Sequence, residues 1–247
     1  MSRIDVLGVG FDNLTMEEAV NAALHFTERR EAAYAATPNP EIVMMARSDG
    51  ALSRALAGAN LVLADGIGVI KGAQILGTPL KGRVPGIDFA CALMGRLAER
   101  GGSVYLFGAR PGVAERAGAE LARRYPGLRI AGASDGYFTD DGPIVERINA
   151  SSPDLLMVCL GSPKQELWME AHAHSLSVGL MAGLGGSLDV LSGEVKRAPE
   201  RWQRLGLEWL YRLLKEPRRI GRMMKLPQFV VEAARQRARG RRDGKQG

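Results

Sequence analysis

The stretch LVLADGIGVIKG, residues 61–72, places a carboxylate at the end of an apolar run that reads as a buried strand. Asp65 follows the run, and Gly66 comes directly after it. Aspartate is a good N-cap, so Asp65 could simply start the helix that the next residues predict. It could also be a general base, because a side chain at the carboxyl end of a parallel strand lies beside the crevice where ligands bind. The two roles are compatible.

Other polar side chains follow other predicted strands. Thr37 and Asn39 come after the second strand, Asp135 after the fifth, and the segment 162–165 after the sixth. Because the carboxyl ends of parallel strands meet at one edge of a sheet, these side chains are expected to share a ligand site with Asp65.

Three glycine-rich turns could bring backbone N–H groups to a phosphate. They could also be tight turns at strand ends, where glycine tolerates the backbone conformation, and the sequence leaves both interpretations open. They are GVGFDN (8–13), FGARPGVAERAG (107–118) and GLGGSLD (183–189). The first lacks the third glycine and the later acidic residue of a dinucleotide fingerprint. This argues against a nicotinamide-dependent oxidoreductase.

Metal chemistry has little support in the sequence. The histidines, His25, His172 and His174, have no metal-ligand spacing and are expected to be exposed. Cys91 and Cys159 lie in apolar surroundings and are expected to be reduced core residues. No metal or other cofactor is expected.

Short apolar strands alternate with amphipathic helices along the first 195 residues, beginning with the strand RIDVLGV (3–9). Thr15 with Glu18 predicts a capping box, Asn39 predicts a cap before Pro40, and Asp88 predicts a third cap. The alternation predicts the α/β class, with a Rossmann-like, mostly parallel sheet and helices on both faces. The chain shows neither a secretory signal nor an apolar run long enough to span a membrane.

Residues 196–247 differ from the preceding part in charge. They hold 16 Lys and Arg against 5 Asp and Glu, whereas the first 195 residues hold 17 and 22. The sequence therefore predicts two regions, an α/β core at 1–195 and a basic helical appendage at 196–247. The appendage could be a solvated charged helix, a nucleic-acid surface or an interfacial amphipathic helix. The third reading fits best.

The appendage carries apolar residues at helical spacing, which predicts one helical stripe. They are Trp202, Leu205, Trp209 and Leu213. Pro217 and Pro227 are expected to divide the region into about three short helices. The last ten residues are polar and are expected to be disordered. Basic side chains beside this stripe favour an anionic membrane surface over nucleic acid as the partner.

Six motifs, in order along the chain, carry a resemblance to a known family. They are TPNPEIV (37–43), ADGIGV (64–69), GTPLKGRVPGID (77–88), LGSPKQELW (160–168), GGSLDVLSGEVKRAP (185–199) and LGLEWLYRLLKEPRRIGRMMKLP (205–227). The chain resembles the WecG/TagA/CpsF glycosyltransferases, especially the wall teichoic acid N-acetylmannosaminyltransferase branch. The resemblance runs from about residue 3 to about residue 232.

The resemblance implies an inverting, metal-independent transfer of N-acetylmannosamine from its UDP conjugate to the 4-hydroxyl of a polyprenyl-diphosphate-linked GlcNAc. It implies that the core at 1–195 is catalytic and holds the UDP-sugar site, and that the protein is cytoplasmic and peripheral at the inner face of the cell membrane. The sequence leaves the oligomeric state open, with a homo-oligomer as one alternative. Donors carrying N-acetylmannosamine uronic acid or a glucose-type sugar, serving other surface polysaccharides, remain alternatives. A non-enzymatic, membrane-peripheral nucleotide-binding protein is a more distant one.

The resemblance also implies roles for particular residues. Asp65 is the catalytic base, Thr37 and Asn39 are active-site residues, Arg83 positions substrate, and Gln165 lines the pocket. Arginines of the appendage complete the site: Arg212, Arg219 and Arg222. The turns at the predicted carboxyl edge supply further candidate substrate-binding residues: Gly66, Gly108, Asp135, Gly136, Lys164, Gly185, Gly186 and Asp189.

Overall fold

The structure, a computed structural model, describes residues 2–30, 33–215 and 225–243 of the 247. Its elements, in chain order, are β1 (Arg3–Val6), β2 (Val9–Asp12), α1 (Met16–Arg29), β3 (Ala33–Ala36), α2 (Pro40–Ala46), α3 (Gly50–Gly58), β4 (Leu61–Val62), α4 (Ile67–Leu76), α5 (Gly86–Ala98), β5 (Ser103–Gly108), α6 (Val113–Arg124), β6 (Arg129–Ser134), α7 (Gly142–Ser151), β7 (Leu155–Cys159), α8 (Lys164–His172), β8 (Leu180–Gly183), α9 (Ser187–Leu191), α10 (Glu200–Arg204), α11 (Glu208–Lys215) and α12 (Lys225–Asp243).

Six strands form one parallel sheet in the order β4-β3-β8-β7-β5-β6. One apolar core joins one sheet face to α2, α3, α4, α7, α8 and α12. A second core joins the other face to α1, α5, α6 and α9. The predicted α/β, Rossmann-like architecture with helices on both faces is confirmed. The carboxyl ends of all six strands meet along one side, hereafter the carboxyl edge.

The N-terminal strand belongs to a separate antiparallel hairpin, in which β1 pairs with β2. Leu7 and Gly8 form its two-residue turn with positive φ values of 57° and 91°, as turns that match the strand twist require. Of the two readings of GVGFDN, the tight turn is confirmed at Gly8, whereas a phosphate-binding turn that leads into a helix is not formed, because the segment 9–12 continues as a strand. This removes the first candidate phosphate turn from the carboxyl edge.

Two of the three predicted helix caps are confirmed. Thr15 and Glu18 make a reciprocal capping box at α1. Asn39 caps α2, where its Oδ1 accepts a hydrogen bond from the Ile42 N–H. The prediction that Asp88 caps a helix was wrong: α5 begins at Gly86, so Asp88 lies inside its first turn. The Asp88 side chain binds an arginine of the C-terminal region instead.

The C-terminal region departs from the predicted stripe. Its four apolar residues do not share a helix, because α10 ends at Arg204 and Gly206 turns the chain with φ at 69° before α11. Pro227 lies in the first turn of α12 and divides nothing there, whereas Pro217 lies outside the described residues. The predicted disorder of the last ten residues was also wrong for those up to Asp243, where α12 ends.

Helix α12 packs against α4 and α2. Phe229 is fully buried, and a Cβ at Gly72 would lie only 2.5 Å from its ring. Arg237 Nη1 donates a 2.8 Å hydrogen bond to the Leu76 carbonyl at the end of α4. The C-terminal helix therefore holds the helix that follows Asp65. None of the described helices is both long enough and apolar enough to cross a membrane.

Candidate active site

Asp65 lies half-buried at the carboxyl edge, three residues after the end of β4. Its backbone N–H donates a 3.3 Å hydrogen bond to the Pro38 carbonyl, which fixes it beside the loop after β3. The N-cap of α4 is Gly66, with φ at 98°, so Asp65 is not the capping residue. Glycine suits this position, since a left-handed φ disfavours other residues. The alternative that Asp65 merely starts α4 was therefore wrong.

Arg83 reaches the same edge through a backbone contact. The Val84 N–H donates a 2.9 Å hydrogen bond to the Ala64 carbonyl. Val84 directly follows Arg83, and Ala64 directly precedes Asp65. The backbone at Arg83 therefore lies beside the backbone at Asp65. The structure thus brings a carboxylate and a permanent cation to neighbouring positions at the carboxyl edge.

Thr37 and Asn39 follow β3 at the same edge, and each has a partner within the fold. Thr37 is 6% exposed, and its Oγ1 donates a 2.8 Å hydrogen bond to the Gly183 carbonyl. Gly86 packs on it so closely that a Cβ there would lie 3.0 Å from Oγ1. Because its one hydroxyl proton is engaged with the Gly183 carbonyl, Oγ1 of Thr37 can take part in a further hydrogen bond only as an acceptor.

Gln165 is buried in the first turn of α8 and uses both ends of its side-chain amide. Oε1 accepts a 3.0 Å hydrogen bond from the Gly185 N–H, and Nε2 donates a 2.9 Å bond to Oε1 of Glu166. The pocket residue predicted from the resemblance therefore fixes the turn after β8.

Glu166 is a neighbour that sequence reasoning missed. It is 1% exposed, and burial raises the pKa of its carboxyl group. Its Oε2 and Oγ of Ser162 are buried without hydrogen-bond partners among the described residues. Glu166 follows Gln165 directly in the motif PKQE. Sequence reasoning missed it because glutamate on a helix is usually exposed, and the sequence does not show that this side of α8 is buried.

Lys164, Asp135 and Gly136 lie at the ends of β7 and β6, farther along the carboxyl edge. Lys164 Nζ donates a 3.1 Å hydrogen bond to the Gly136 carbonyl and lies 3.9 Å from the centroid of the Phe138 ring. Asp135 Oδ1 accepts a 2.8 Å bond from the Tyr137 N–H, which shapes the turn. These contacts hold the loop after β6 against the start of α8.

The candidate glycines divide into closely packed and open positions. A Cβ at Gly108 would lie 2.3 Å from the Cys159 carbonyl oxygen, so close approach of β5 and β7 explains that glycine. Gly185, with φ at 53°, has nothing within 4 Å of a Cβ position. Gly186 precedes α9, and Asp189 is half-buried in that helix. The turn after β8 is thus the more open of these glycine positions.

Three side chains from the C-terminal region and α5 form an ion-pair network with Arg83. Glu208 lies 3.5 Å from Arg83 Nη1 and 3.2 Å from Arg197 Nε. Arg197 also binds both carboxylate oxygens of Asp88, at 2.6 and 2.8 Å. Sequence reasoning missed this network because its members come from three separate motifs, with Arg83 and Asp88 in one and Arg197 and Glu208 in two others, and a single sequence does not show which motifs pair. The side chain of Arg212 and all of Arg219 and Arg222 lie outside the described residues.

The histidines do not form a metal site with their described neighbours. His25 and His174 are exposed as predicted, but His172 is half-buried, with Nε2 at 2.9 Å from Asp141 Oδ2. Within the described ranges, no group of three or more His, Cys, Asp or Glu side chains is arranged to hold a metal ion. Metal independence of the reaction stays a prediction.

The chain is similar to known proteins over most of its length. It is 36% identical over 238 residues to an N-acetylglucosaminyldiphosphoundecaprenol N-acetyl-beta-D-mannosaminyltransferase of Staphylococcus aureus strain MW2, covering 95% of this chain and 93% of that protein. It is 38% identical over 206 residues to the protein of that name from Bacillus spizizenii, covering 83% and 80%. The glycosyl transferase WecG/TagA/CpsF family profile matches residues 4–243. The chain therefore belongs to the WecG/TagA/CpsF family of glycosyltransferases.

Proposed function

We propose that this protein transfers N-acetylmannosamine from UDP-N-acetylmannosamine to the 4-hydroxyl of a polyprenyl-diphosphate-linked GlcNAc, with inversion at the anomeric carbon and without a metal ion. The names of the relatives, together with their coverage of most of this chain, support this acceptor and sugar. The product would be a linkage unit of teichoic acid or of another cell-surface polysaccharide.

The observation that carries the proposal is the backbone hydrogen bond between Val84 and Ala64, because it brings the backbone next to Arg83 alongside the backbone next to Asp65. In an inverting transfer, the acceptor oxygen bonds to the anomeric carbon while the bond from that carbon to the diphosphate oxygen breaks. Asp65 would take the proton of the acceptor hydroxyl as general base. The electron pair of the broken bond would leave with UDP, whose charge Arg83 would stabilise as a fixed cation.

We also assign residues 196–247 to membrane docking at the inner face of the cell membrane, where the acceptor lipid would lie. All but one of the exposed large apolar side chains among the described residues belong to this region. They are Leu205, Trp209, Leu214, Val230 and Val231, and the exception is Tyr137. Apolar side chains within a basic segment favour an anionic lipid surface.

The test measures UDP release from several UDP-sugars, with and without a short-chain lipid-diphosphate-GlcNAc, for the wild type and Asp65→Asn. We expect acceptor-dependent release from UDP-N-acetylmannosamine, reduced about 100- to 10,000-fold in the variant, the range typical of losing a general base. Glu17→Gln, a substitution of an exposed acid on α1, is the matched control.

Each other outcome corrects a different part of the proposal. Release from a uronic acid or glucose-type donor instead would keep the chemistry and change the sugar. Full activity of Asp65→Asn would remove Asp65 as the base. Acceptor-independent release alone would contradict the transfer itself.

A further inference from the structure

The two terminal nitrogens of Arg83 are both engaged by the C-terminal region. Nη2 donates a 3.3 Å hydrogen bond to the Gln203 carbonyl at the end of α10, and Nη1 lies 3.5 Å from Glu208 Oε2 at the start of α11. Arginine has a long side chain with many rotamers, so an unrestrained guanidinium would sample many positions. Here a carbonyl and a carboxylate fix the plane of the guanidinium from one side.

Glu208 is itself restrained by a second arginine. Its Oε1 accepts a 3.2 Å hydrogen bond from Arg197 Nε, while the two Nη groups of Arg197 bind Asp88 on α5. The four side chains thus alternate in charge, and each is less than two-fifths exposed. The bidentate Asp88–Arg197 pair has the geometry that gives arginine its directional strength. It also raises the pKa of Arg197 above its ordinary value.

The register of this region relative to Asp65 is set by an apolar contact. Gly206, between Gln203 and Glu208, packs on the first residue of α4, and a Cβ there would lie 2.9 Å from Ile67 Cβ. Ile67 is two residues after Asp65. One short segment therefore touches the chain at the proposed base and holds the proposed cation.

We infer that Glu208 is a positioning residue: it holds Arg83 at the carboxyl edge in the orientation that receives the nucleotide diphosphate, and Arg197 with Asp88 holds Glu208. The inference rests on the proposed function, in which Arg83 meets UDP. A cation held in place before the ligand arrives does not need to be ordered during the reaction, which is how preorganised charges accelerate it.

The test compares Glu208→Gln with the wild type by calorimetric UDP binding and by steady-state transfer kinetics. The glutamine keeps the size of the side chain but loses the charge-assisted bonds to both arginines. We expect weaker UDP binding and a kcat reduced about 10- to 100-fold, as a misplaced catalytic group gives. Glu200→Gln is the matched control, because it removes an exposed pair with Arg204 on the neighbouring helix.

A double substitution separates positioning from a general structural effect. In an Arg83→Gln background, Glu208→Gln is expected to produce no further loss of kcat, because the residue it positions is gone. A further loss of the same size would overturn the inference. If Glu208→Gln folds poorly, Arg197→Lys serves in its place, because lysine keeps the charge but lacks the fork that spans Asp88 and Glu208.

The remaining outcomes are distinguishable from one another. Tighter UDP binding by Glu208→Gln would show that Glu208 competes with the diphosphate for Arg83, and would overturn the positioning role. Unchanged binding and kcat in an otherwise active enzyme would overturn the inference alone. A wild type that neither binds UDP nor transfers sugar would overturn the proposed function, and the inference with it.

Discussion

Thr37 and Gln165 hold the same turn from two different parts of the chain. Thr37 Oγ1 donates to the Gly183 carbonyl, and Gln165 Oε1 accepts from the Gly185 N–H. The turn follows β8, which lies between β3 and β7 in the sheet. Both residues thus fix the backbone at the centre of the carboxyl edge. Each has this structural role whether or not it also contacts substrate.

Replacing Thr37 by valine should destabilise the protein, while serine should be tolerated. Valine fills a similar volume but leaves the buried Gly183 carbonyl without its donor, a loss of about 1–3 kcal/mol. Serine keeps the hydroxyl and loses one methyl group, about 1 kcal/mol. The measurement is the free energy of unfolding in urea. A Thr37→Val variant as stable as the wild type would mean that the hydroxyl bond contributes nothing to stability.

The elements at this edge were largely predictable, because their signals are local. Asn39 before Pro40 predicts a helix start, and an apolar run before Asp65 predicts a strand end, whatever the rest of the chain does. Asp88 is a residue for which the local sequence predicts the wrong role. It is a good cap by type, but Arg197 lies in a distant motif and takes its carboxylate. A single sequence does not record that competition.

Gly206 and Gly8 show the same limit for periodicity. The helical spacing of Trp202 and Trp209 predicts one apolar stripe along a single helix. Gly206, which lies between them, instead packs against Ile67 and turns the chain. At the N-terminus, two residues with positive φ fold the first predicted strand into a hairpin. At Gly206 a contact with a distant residue overrides the pattern of apolar residues, and at Leu7 and Gly8 a turn with left-handed backbone does so.

Glu166→Gln should change how stability depends on pH. The carboxyl group titrates near its ordinary value of 4.5 in the unfolded chain and at a higher pKa in the fold, because it is buried. As pH rises between these two pKa values, the unfolded chain releases the proton while the folded protein keeps it. Rising pH therefore favours unfolding, and wild-type stability declines across this window. Glutamine imitates the protonated acid and removes the decline.

The measurement for Glu166→Gln is the difference in the free energy of unfolding between variant and wild type from pH 4 to pH 8. We expect the difference to move in favour of the variant as pH rises from about 4.5 and then to level off. Glu170→Gln, on the same helix but more exposed, controls for removing a helix charge. A difference that does not vary with pH would show that Glu166 does not titrate differently in the fold.

Removing the exposed apolar side chains of α10–α11 and their linker should weaken membrane binding. A triple variant, Leu205→Ser, Trp209→Ser and Leu214→Ser, removes side chains that are 70%, 36% and 65% exposed. We expect at least about a tenfold loss of binding to phosphatidylglycerol-containing vesicles in a flotation assay, since buried apolar area drives interfacial binding. Tyr137→Ser, at a site 72% exposed on another part of the surface, is the control. Undiminished binding by the triple variant would contradict the docking assignment.

Phe229→Ala should both destabilise the protein and reduce transfer. Its ring is fully buried between α12 and Gly72 of α4, so truncation should lower the free energy of unfolding by about 3–5 kcal/mol. Activity should fall as well, because α4 begins two residues after Asp65 and loses the helix packed against it. Val230→Ala, at the next position and 44% exposed, should change stability by less than about 0.5 kcal/mol. Urea unfolding and sugar transfer measured on both variants would check this, and equal effects would mean that α12 is not anchored to the core through Phe229.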